Sequence, residues 1–266
     1  MLSQERIRGC LRTSRFGRDL HVFRSLGSTN VQARELAKIG APEGTVVIAE
    51  EQTAGRGRLG RSWLSHPGEN LTFSLVLRPR ASQPGSGLLP LAVGVALARA
   101  IEATAGLRVE CKWPNDLMVE GQKLAGILME TSVDPSGRPY VIVGIGLNVN
   151  QTFFAEEIRS RATSLKAWTR ADVEREQLLC ACLEELESVY DRSAPVGFQN
   201  VLQEWNARST LPGRTVTVVA GGRETTGVVR GISREGALVV HAGGTDHLFF
   251  AGEVTITMEL PDAAGH

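Results

Sequence analysis

Glu51-Gln52-Thr53-Ala54-Gly55-Arg56-Gly57-Arg58-Leu59-Gly60-Arg61-Ser62-Trp63 is the stretch that decides how the rest of the chain is read. Arginines at 56, 58 and 61 alternate with glycines at 55, 57 and 60, and a tryptophan closes the run. Glycine lets backbone N–H groups approach a ligand closely. Arginine brings a permanent charge and a planar fork of donors that suits phosphate or carboxylate. Such a run makes a poor helix and a poor strand, so it reads as an anion-binding loop. Upstream, Thr45-Val46-Val47-Ile48-Ala49-Glu50 reads as a strand. Downstream, Leu71, Phe73, Leu75 and Leu77 alternate with Thr72, Ser74 and Val76 and predict another. The loop is therefore expected between two strands of one sheet. It is short, lies within strongly patterned sequence and lacks the repeats of a Gly/Arg-rich tail. No Gly-x-x-x-x-Gly-Lys-[Ser/Thr] loop occurs in the chain.

A chain of 266 residues suits one large or two modest domains. Lysine plus arginine balances aspartate plus glutamate at 29 each, so no global basic field draws the chain onto nucleic acid. The longest apolar run, Leu88 to Ala98, contains Pro90 and Gly94 and is too short to span a bilayer. Met1 to Arg6 has no apolar signal region. Cys10, Cys111, Cys180 and Cys182 have no metal-ligand spacing and read as reduced thiols of a cytoplasmic protein. His21, His66, His241, His247 and His266 form no ligand cluster, so no side-chain metal site is expected.

In chain order, 1–20 is mixed and basic, with too few residues for a three-helix DNA reader. His21 to Leu26 reads as a strand, and Gly27-Ser28-Thr29-Asn30 opens a helix. Thr29 with Gln32 fits a capping box, and Gly40 fits the position just past the helix end. Ser28, Thr29 and Asn30 together serve either as caps or as holders of a polar ligand. Leu88 to about Ala105 is an apolar helix, and Arg108 to Lys112 a strand. A hairpin turns near Glu120-Gly121, and a buried strand covers Tyr140 to Asn150. Residues 151–170 look irregular, and helices follow at Asp172 to Tyr190 and Phe198 to Arg208. After Leu211-Pro212-Gly213, runs at 215–219, 225–229, 237–240 and 255–258 predict a small antiparallel barrel. The domains are thus 1–211 and 212–266.

Lys112-Trp113-Pro114-Asn115-Asp116 and Lys123-Leu124-Ala125-Gly126-Ile127-Leu128 form the second informative pair. If the intervening hairpin folds back, Lys112, Asp116 and Lys123 share a face. One carboxylate among cations suits a phosphate, a metal or deprotonation of an amine, or is a surface ion-pair cluster. Trp63 and Trp113 are either core residues or walls of an aromatic pocket.

These stretches, with Gly144-Ile145-Gly146-Leu147-Asn148, stand in the order found in biotin protein ligases, the biotin–[acetyl-CoA-carboxylase] ligases. The resemblance covers about residues 20 to 258, and Gly227 to Ile232 and Gly236 to Leu238 look like that family's SH3-like domain. It implies an α+β fold: a mixed-sheet biotin/lipoate-ligase catalytic domain followed by a small C-terminal SH3-like β-barrel. The short N-terminal region resembles the monofunctional class, without the DNA-binding domain that makes some members repressors.

The resemblance implies a two-step ligase. Biotin's carboxylate attacks the α-phosphate of MgATP, giving biotinyl-5′-AMP and releasing pyrophosphate. The ε-amine of a carrier-protein lysine then displaces AMP. Ser28, Thr29, Asn30 and Gln52 would bind biotin, with Gly55, Arg56, Gly57 and Arg58 closing over it and ordering on binding. Lys112 and Lys123 would neutralise carboxylate and phosphate, and Asp116 would be the base, so Arg56, Lys112, Asp116 and Lys123 are the catalytic candidates. Arg58, Arg61, Trp63, Asn115, Asn148 and Arg230 would face ATP, whose phosphates hold the Mg2+. The implied partner is a biotin carboxyl carrier protein of acetyl-CoA carboxylase or a related biotin enzyme. No specific DNA binding and no membrane are expected, and a homodimer is left open. Leu64 follows Trp63 where several relatives have an aromatic residue, so adenine stacking would fall elsewhere, with Trp168 a candidate. A lipoate or octanoyl ligase of the same superfamily is the nearest rival, but its Arg-Arg-x-x-Gly-Gly-Gly type of motif is absent. A nucleic-acid binder using the Gly/Arg loop and the barrel is the rival from another class.

Overall fold

The computed structural model describes residues 1–64, 66–79 and 86–257. Most of the loop expected at 79–87, the strand end at Met258, and His266 lie outside the described residues. The first part of the chain runs α1 (Gln4–Cys10), β1 (Leu20–Leu26), α2 (Thr29–Lys38), β2 (Val46–Gln52), β3 (Leu71–Leu77), α3 (Leu89–Ala105), β4 (Glu110–Lys112), β5 (Asp116–Val119), β6 (Gln122–Val133) and β7 (Pro139–Leu147). Short helices α4 (Glu156–Arg159) and α5 (Leu165–Thr169) follow, then α6 (Arg175–Ser193) and α7 (Leu202–Arg208). The seven strands form one sheet, ordered β1-β2-β3-β7-β6-β5-β4. Only β1 and β2 pair in parallel, joined through α2; every other neighbouring pair is antiparallel. The sheet is mixed, as expected.

Period-two patterning explains how two layers cover it. Leu71, Phe73, Leu75 and Leu77 of β3, with Val141, Val143, Ile145 and Leu147 of β7, point into the large core shared with α3 and α6. The alternate residues face α2, where Val76, Tyr140 and Ile142 meet Ala33 and Ala37. Thr72 and Ser74 lie on that second face and are buried. So do Gly144 and Gly146, whose missing side chains leave room there.

Five further strands, β8 (Thr215–Ala220), β9 (Arg223–Ile232), β10 (Leu238–Ala242), β11 (Thr245–Phe249) and β12 (Glu253–Ile256), make an antiparallel sheet ordered β11-β10-β9-β8-β12. Its end strands do not pair among the described residues, so the sheet is open rather than a hydrogen-bonded closed barrel. Sequence patterning missed β11, whose Thr245-Asp246-His247-Leu248 is exposed and offers no apolar alternation.

Three other expectations are corrected. The capping box does not form: Ser28 is the N-cap without a side-chain cap bond, and the Thr29 amide donates to Gln52 instead. Residues 151–170 are not wholly irregular, since α4 and α5 lie within them. Cys10 and Cys180 are not free thiols but a disulfide joining α1 to α6; Cys111 and Cys182 are free and buried.

Behind the glycine–arginine loop, Glu50 of β2 is buried with Arg175 of α6, which donates to its carboxylate at 2.9 and 3.2 Å. Burial alone would raise the Glu50 carboxyl; Arg175 and the N–H groups of Leu2 and Gly68 reverse this and hold it below the ordinary carboxylate value. That stabilisation is complete above the ordinary value and is lost as pH falls through the depressed folded one. Arg175→Met should therefore cost about 3–5 kcal/mol near neutral pH, by leaving a buried charge unpaired. The deficit should shrink in acid, where the unpaired Glu50 of the variant takes up a proton and the buried charge is gone. Denaturant melts of both proteins from pH 4 to 7 measure this, and a pH-independent deficit contradicts it.

Candidate active site

A cavity of about 280 Å³ opens on the α2 face of the large sheet, beyond the helix's N-terminus. Its inner end is polar and uncharged, with Ser28, Thr29, Asn30 and Gln52 among its lining. The Thr29 amide and hydroxyl both donate to Gln52 Oε1, at 2.8 and 3.1 Å. Behind them the Ser74 hydroxyl lies 2.8 Å from Thr29 Oγ1 and 2.6 Å from Asn30 Oδ1. The Asn30 amide donates to Glu130 at 2.8 Å, which fixes that amide's orientation. Ser28 holds the cap position without a side-chain cap bond, while Thr29, Asn30 and Gln52 are cross-linked into a polar wall. Ser74 was missed as a site residue because in sequence it reads only as a polar position in an alternating strand.

Over this end folds the glycine–arginine loop. Thr53 and Ala54 amides donate to Leu26 and Gly27 carbonyls at 2.8 Å each, extending the β1–β2 strip. The loop then closes on itself through Gly57 N–H to Arg61 O at 2.7 Å, Trp63 N–H to Gly55 O at 3.0 Å, and an Arg56–Ser62 bridge. These bonds give the loop a defined path over the cavity. Gly55 lies outside the cavity lining, and its role is steric: a Cβ there would stand 2.3 Å from the Trp63 carbonyl oxygen. Arg56, Gly57, Arg58, Arg61 and Trp63 do line the cavity.

The outer end is charged. Lys112 and Asp116 face one another in the β4–β5 register, and Lys123 reaches back from β6 to within 2.7 Å of Asp116. All three line the cavity, as the folded-back hairpin predicts. Lys123 also sits 5.8 Å from the Trp63 ring centroid, within cation–π range. Arg58 donates to Asn115 Oδ1 at 3.0 Å, and Asn115 in turn donates to the Ile127 carbonyl at 2.7 Å. Burial lowers the Arg58 guanidinium's pKa, opposed by the charge of Asp116. It stays charged all the same. Arg61 pairs with Glu253 of β12, so the second sheet contributes a wall, from Gly252 to Thr255. Sequence reasoning placed no residue of that strand at the site. A second cavity, of about 650 Å³, shares Arg56, Arg58, Arg61 and Asn115 and opens toward Pro90 and Phe250.

Some expected residues lie elsewhere. The Asn148 side chain donates to the Thr163 carbonyl at 2.9 Å and braces the loop after β7. Arg230 is exposed on β9, and neither residue is in the lining. Trp168 donates to Thr163 Oγ1 at 2.9 Å and also lies outside the cavity. Trp113 is both core and wall: it is 2% exposed and its N–H reaches the Gly236 carbonyl at 3.1 Å. Trp63 lies flat against the sheet. A Cβ on Gly146 would come within 2.2 Å of its ring, and one on Gly126 within 3.3 Å. Its indole N–H is buried with no acceptor among the described residues, the kind of donor a ligand oxygen satisfies. No group of three or more His, Cys, Asp or Glu that could hold a metal occurs among the described residues.

Residues 22–150 match the biotin/lipoate A/B protein ligase family, and residues 213–256 match the biotin protein ligase C terminal domain. The biotin–[acetyl-CoA-carboxylase] ligase of Mycobacterium tuberculosis is 36% identical over 245 residues, 89% of this chain and 88% of the relative. That of Paracoccus denitrificans is 33% identical, covering 85% and 96%. A bifunctional ligase/repressor of Bacillus subtilis is 36% identical over 90% of this chain and 74% of its own length. A biotin protein ligase from Aquifex aeolicus solved with biotin and ATP superposes with a TM-score of 0.80 at 30% identity, over 91% of this chain and all of that one.

Gly146→Ala should push Trp63 off the sheet at a cost of about 1–3 kcal/mol, since backbone and ring leave no slack. Acrylamide quenching against a Trp63→Phe control reads the change. Quenching unaltered by the alanine would show that Trp63 does not rest on Gly146.

Proposed function

The chain belongs to the biotin protein ligase family, and from that membership we propose how its cavity divides the work. It is an ATP-dependent, AMP-forming ligase that activates biotin to biotinyl-5′-AMP and passes the biotin to a carboxyl carrier protein. The supporting observation is that a cross-linked polar wall and a cluster of cations share one cavity. Ser28, Thr29, Asn30 and Gln52 take the ureido ring, whose carbonyl and N–H groups need fixed donors and acceptors. Trp63 covers the apolar part of the molecule from the side of Gly126 and Gly146.

Carboxylate and triphosphate repel one another, so the approach must be neutralised by charges already in place. In this reading Lys123 and Lys112 meet the carboxylate and α-phosphate. Arg56 and Arg58 close over both, and Arg61 and Asn115 face the nucleotide. Magnesium arrives with ATP as part of the substrate. Asp116 and Glu253, the lining carboxylates, are each engaged by a cation, which leaves the ion to phosphate oxygens. In the second step Asp116 takes the proton of the incoming lysine, where position counts more than proton affinity. Asn148 and Arg230 have no part in this assignment. The reading also includes a domain boundary at Leu211–Gly213, a cytoplasmic location, and the carrier protein of acetyl-CoA carboxylase or a related biotin enzyme as acceptor.

The test is ATP-dependent transfer of labelled biotin to an isolated carrier-protein domain, with lipoate and octanoate in parallel. No labelling with biotin, or preference for another acid, overturns the reading. Lys123→Gln should stay folded and lose adenylation by about 100-fold, on the order of 3 kcal/mol. Transfer from supplied biotinyl-AMP should fall less. Single-turnover kinetics of each half-reaction decides, and equal losses would make Lys123 only the ion-pair partner of Asp116. Arg58→Ala should still form the adenylate but release it, which labelling of bystander lysines reports; retention equal to wild type counts against it.

A further inference from the structure

Cys10 closes α1, Cys180 lies in the second turn of α6, and their bond joins positions 170 residues apart. The two sulfurs are not equally reachable. Cys180 is 3% exposed, whereas Cys10 is half-buried at the surface. An open cavity of about 450 Å³ reaches the bond, lined by Arg6, Gly9 and Arg12 on one side and Gln177, Ala181 and Glu184 on the other. Gly9 has nothing within 4 Å of where its Cβ would stand, so the approach to the bond is unobstructed there. The free cysteines contrast with the pair: Cys111 and Cys182 are buried, and burial pushes both thiols up to about 12. Fully enclosed thiols of that kind are inert, while a bond whose outer sulfur, that of Cys10, is reached from an open cavity is accessible to exchange.

The staple holds an arm that reaches the wall behind the active loop. Leu2 and Ile7 are buried in the main core, and the Leu2 amide donates to Glu50. The Ser3 amide donates to Glu176 of α6 at 3.3 Å, and Arg6 lies 3.5 Å from the same carboxylate. Glu50 also takes Arg175 and the Gly68 amide, and it stands two residues before Gln52. The disulfide therefore fixes one end of a segment whose other end completes the shell of Glu50.

We propose that the Cys10–Cys180 pair is a thiol–disulfide exchange site open to low-molecular-weight thiols and disulfides, and that its state sets how firmly residues 2–10 hold onto Glu50. An external thiolate attacks Cys10 Sγ; a reagent–Cys10 bond forms, the Cys10–Cys180 bond breaks, and Cys180 leaves as thiolate. A second thiolate attacks the reagent sulfur of that mixed disulfide, and Cys10 leaves. Both protein thiolates take protons from solvent. Two reagent thiols have become one disulfide, and their two electrons have reduced the protein bond. Oxidation by a small disulfide runs the same steps in reverse.

The experiment equilibrates the full chain with glutathione buffers from fully reduced to fully oxidised, traps thiols with N-ethylmaleimide, and maps them by mass spectrometry. Cys10 and Cys180 should convert together between dithiol and internal disulfide, with Cys111 and Cys182 untouched. A pair that stays in one state across the series, or that stops as glutathione-bound Cys10, overturns the proposal. Hydrogen exchange at residues 2–10 should be about tenfold faster in the reduced protein, and equal rates overturn the coupling to Glu50. Cys10→Ser should exchange like the reduced protein in every buffer, and a redox response that survives this change is equally fatal. Should that variant fail to fold, the wild-type pair of states still decides.

Discussion

The site depends on two side chains that are absent. On the α2 face of β7, Tyr140 and Ile142 pack against the helix, and then Gly144 and Gly146 leave the sheet bare. A Cβ on Gly144 would lie 2.1 Å from Asn30 Oδ1, and one on Gly146 2.2 Å from the Trp63 ring. Gly126 of β6 pairs with Gly146, so the bare strip runs across two strands, and the small Ser74 of β3, paired with Gly144, continues it. Only on that strip can a helix N-terminus and an indole both lie down on the sheet. Glycines inside strands weaken them. The opposite face carries the cost, because Val143, Ile145 and Leu147 alternate with the glycines and are buried in the main core.

The charges follow from the floor. Lysines 112 and 123 and arginines 56, 58 and 61 line a cavity in which the carboxylates are Asp116 and Glu253. Each carboxylate is tied to one of those cations, Asp116 to Lys123 and Glu253 to Arg61. These ties hold long side chains in place but are partly exposed, so they are weak and exchangeable. A phosphate or carboxylate entering the cavity offers the same cations another acceptor.

The sequence was most readable where a local rule and the tertiary fold agree. The loop between two strands and the hairpin that brings Lys112, Asp116 and Lys123 together both follow from period and turn chemistry. Thr29 shows the opposite. Its spacing to Gln32 satisfies a capping rule, yet a partner from Gln52, 23 residues on, takes its amide. Nothing local announces such a partner. β11 escaped because it is exposed on both sides, and Glu253 because its role needs the second sheet to be in place. Cys10 and Cys180 escaped for a related reason: their spacing says nothing until α1 is seen to pack on α6.

The two sheets do not divide the site between them. The large sheet supplies the floor, and the glycine–arginine loop supplies the roof. The wall belongs to β12, whose Glu253 grips the roof through Arg61. Trp113, next to Lys112, sends its indole N–H to Gly236 of the small sheet, and a Cβ at Gly87 would meet the Glu235 carbonyl at 2.4 Å. A buried N–H without an acceptor costs about 1–3 kcal/mol, so the strand end that carries Lys112, Asn115 and Asp116 is held in register partly from outside its own sheet. Contacts this close, made by backbone on both sides, do not slide. The small sheet is therefore part of what positions the cations, and a single cavity draws its lining from both segments.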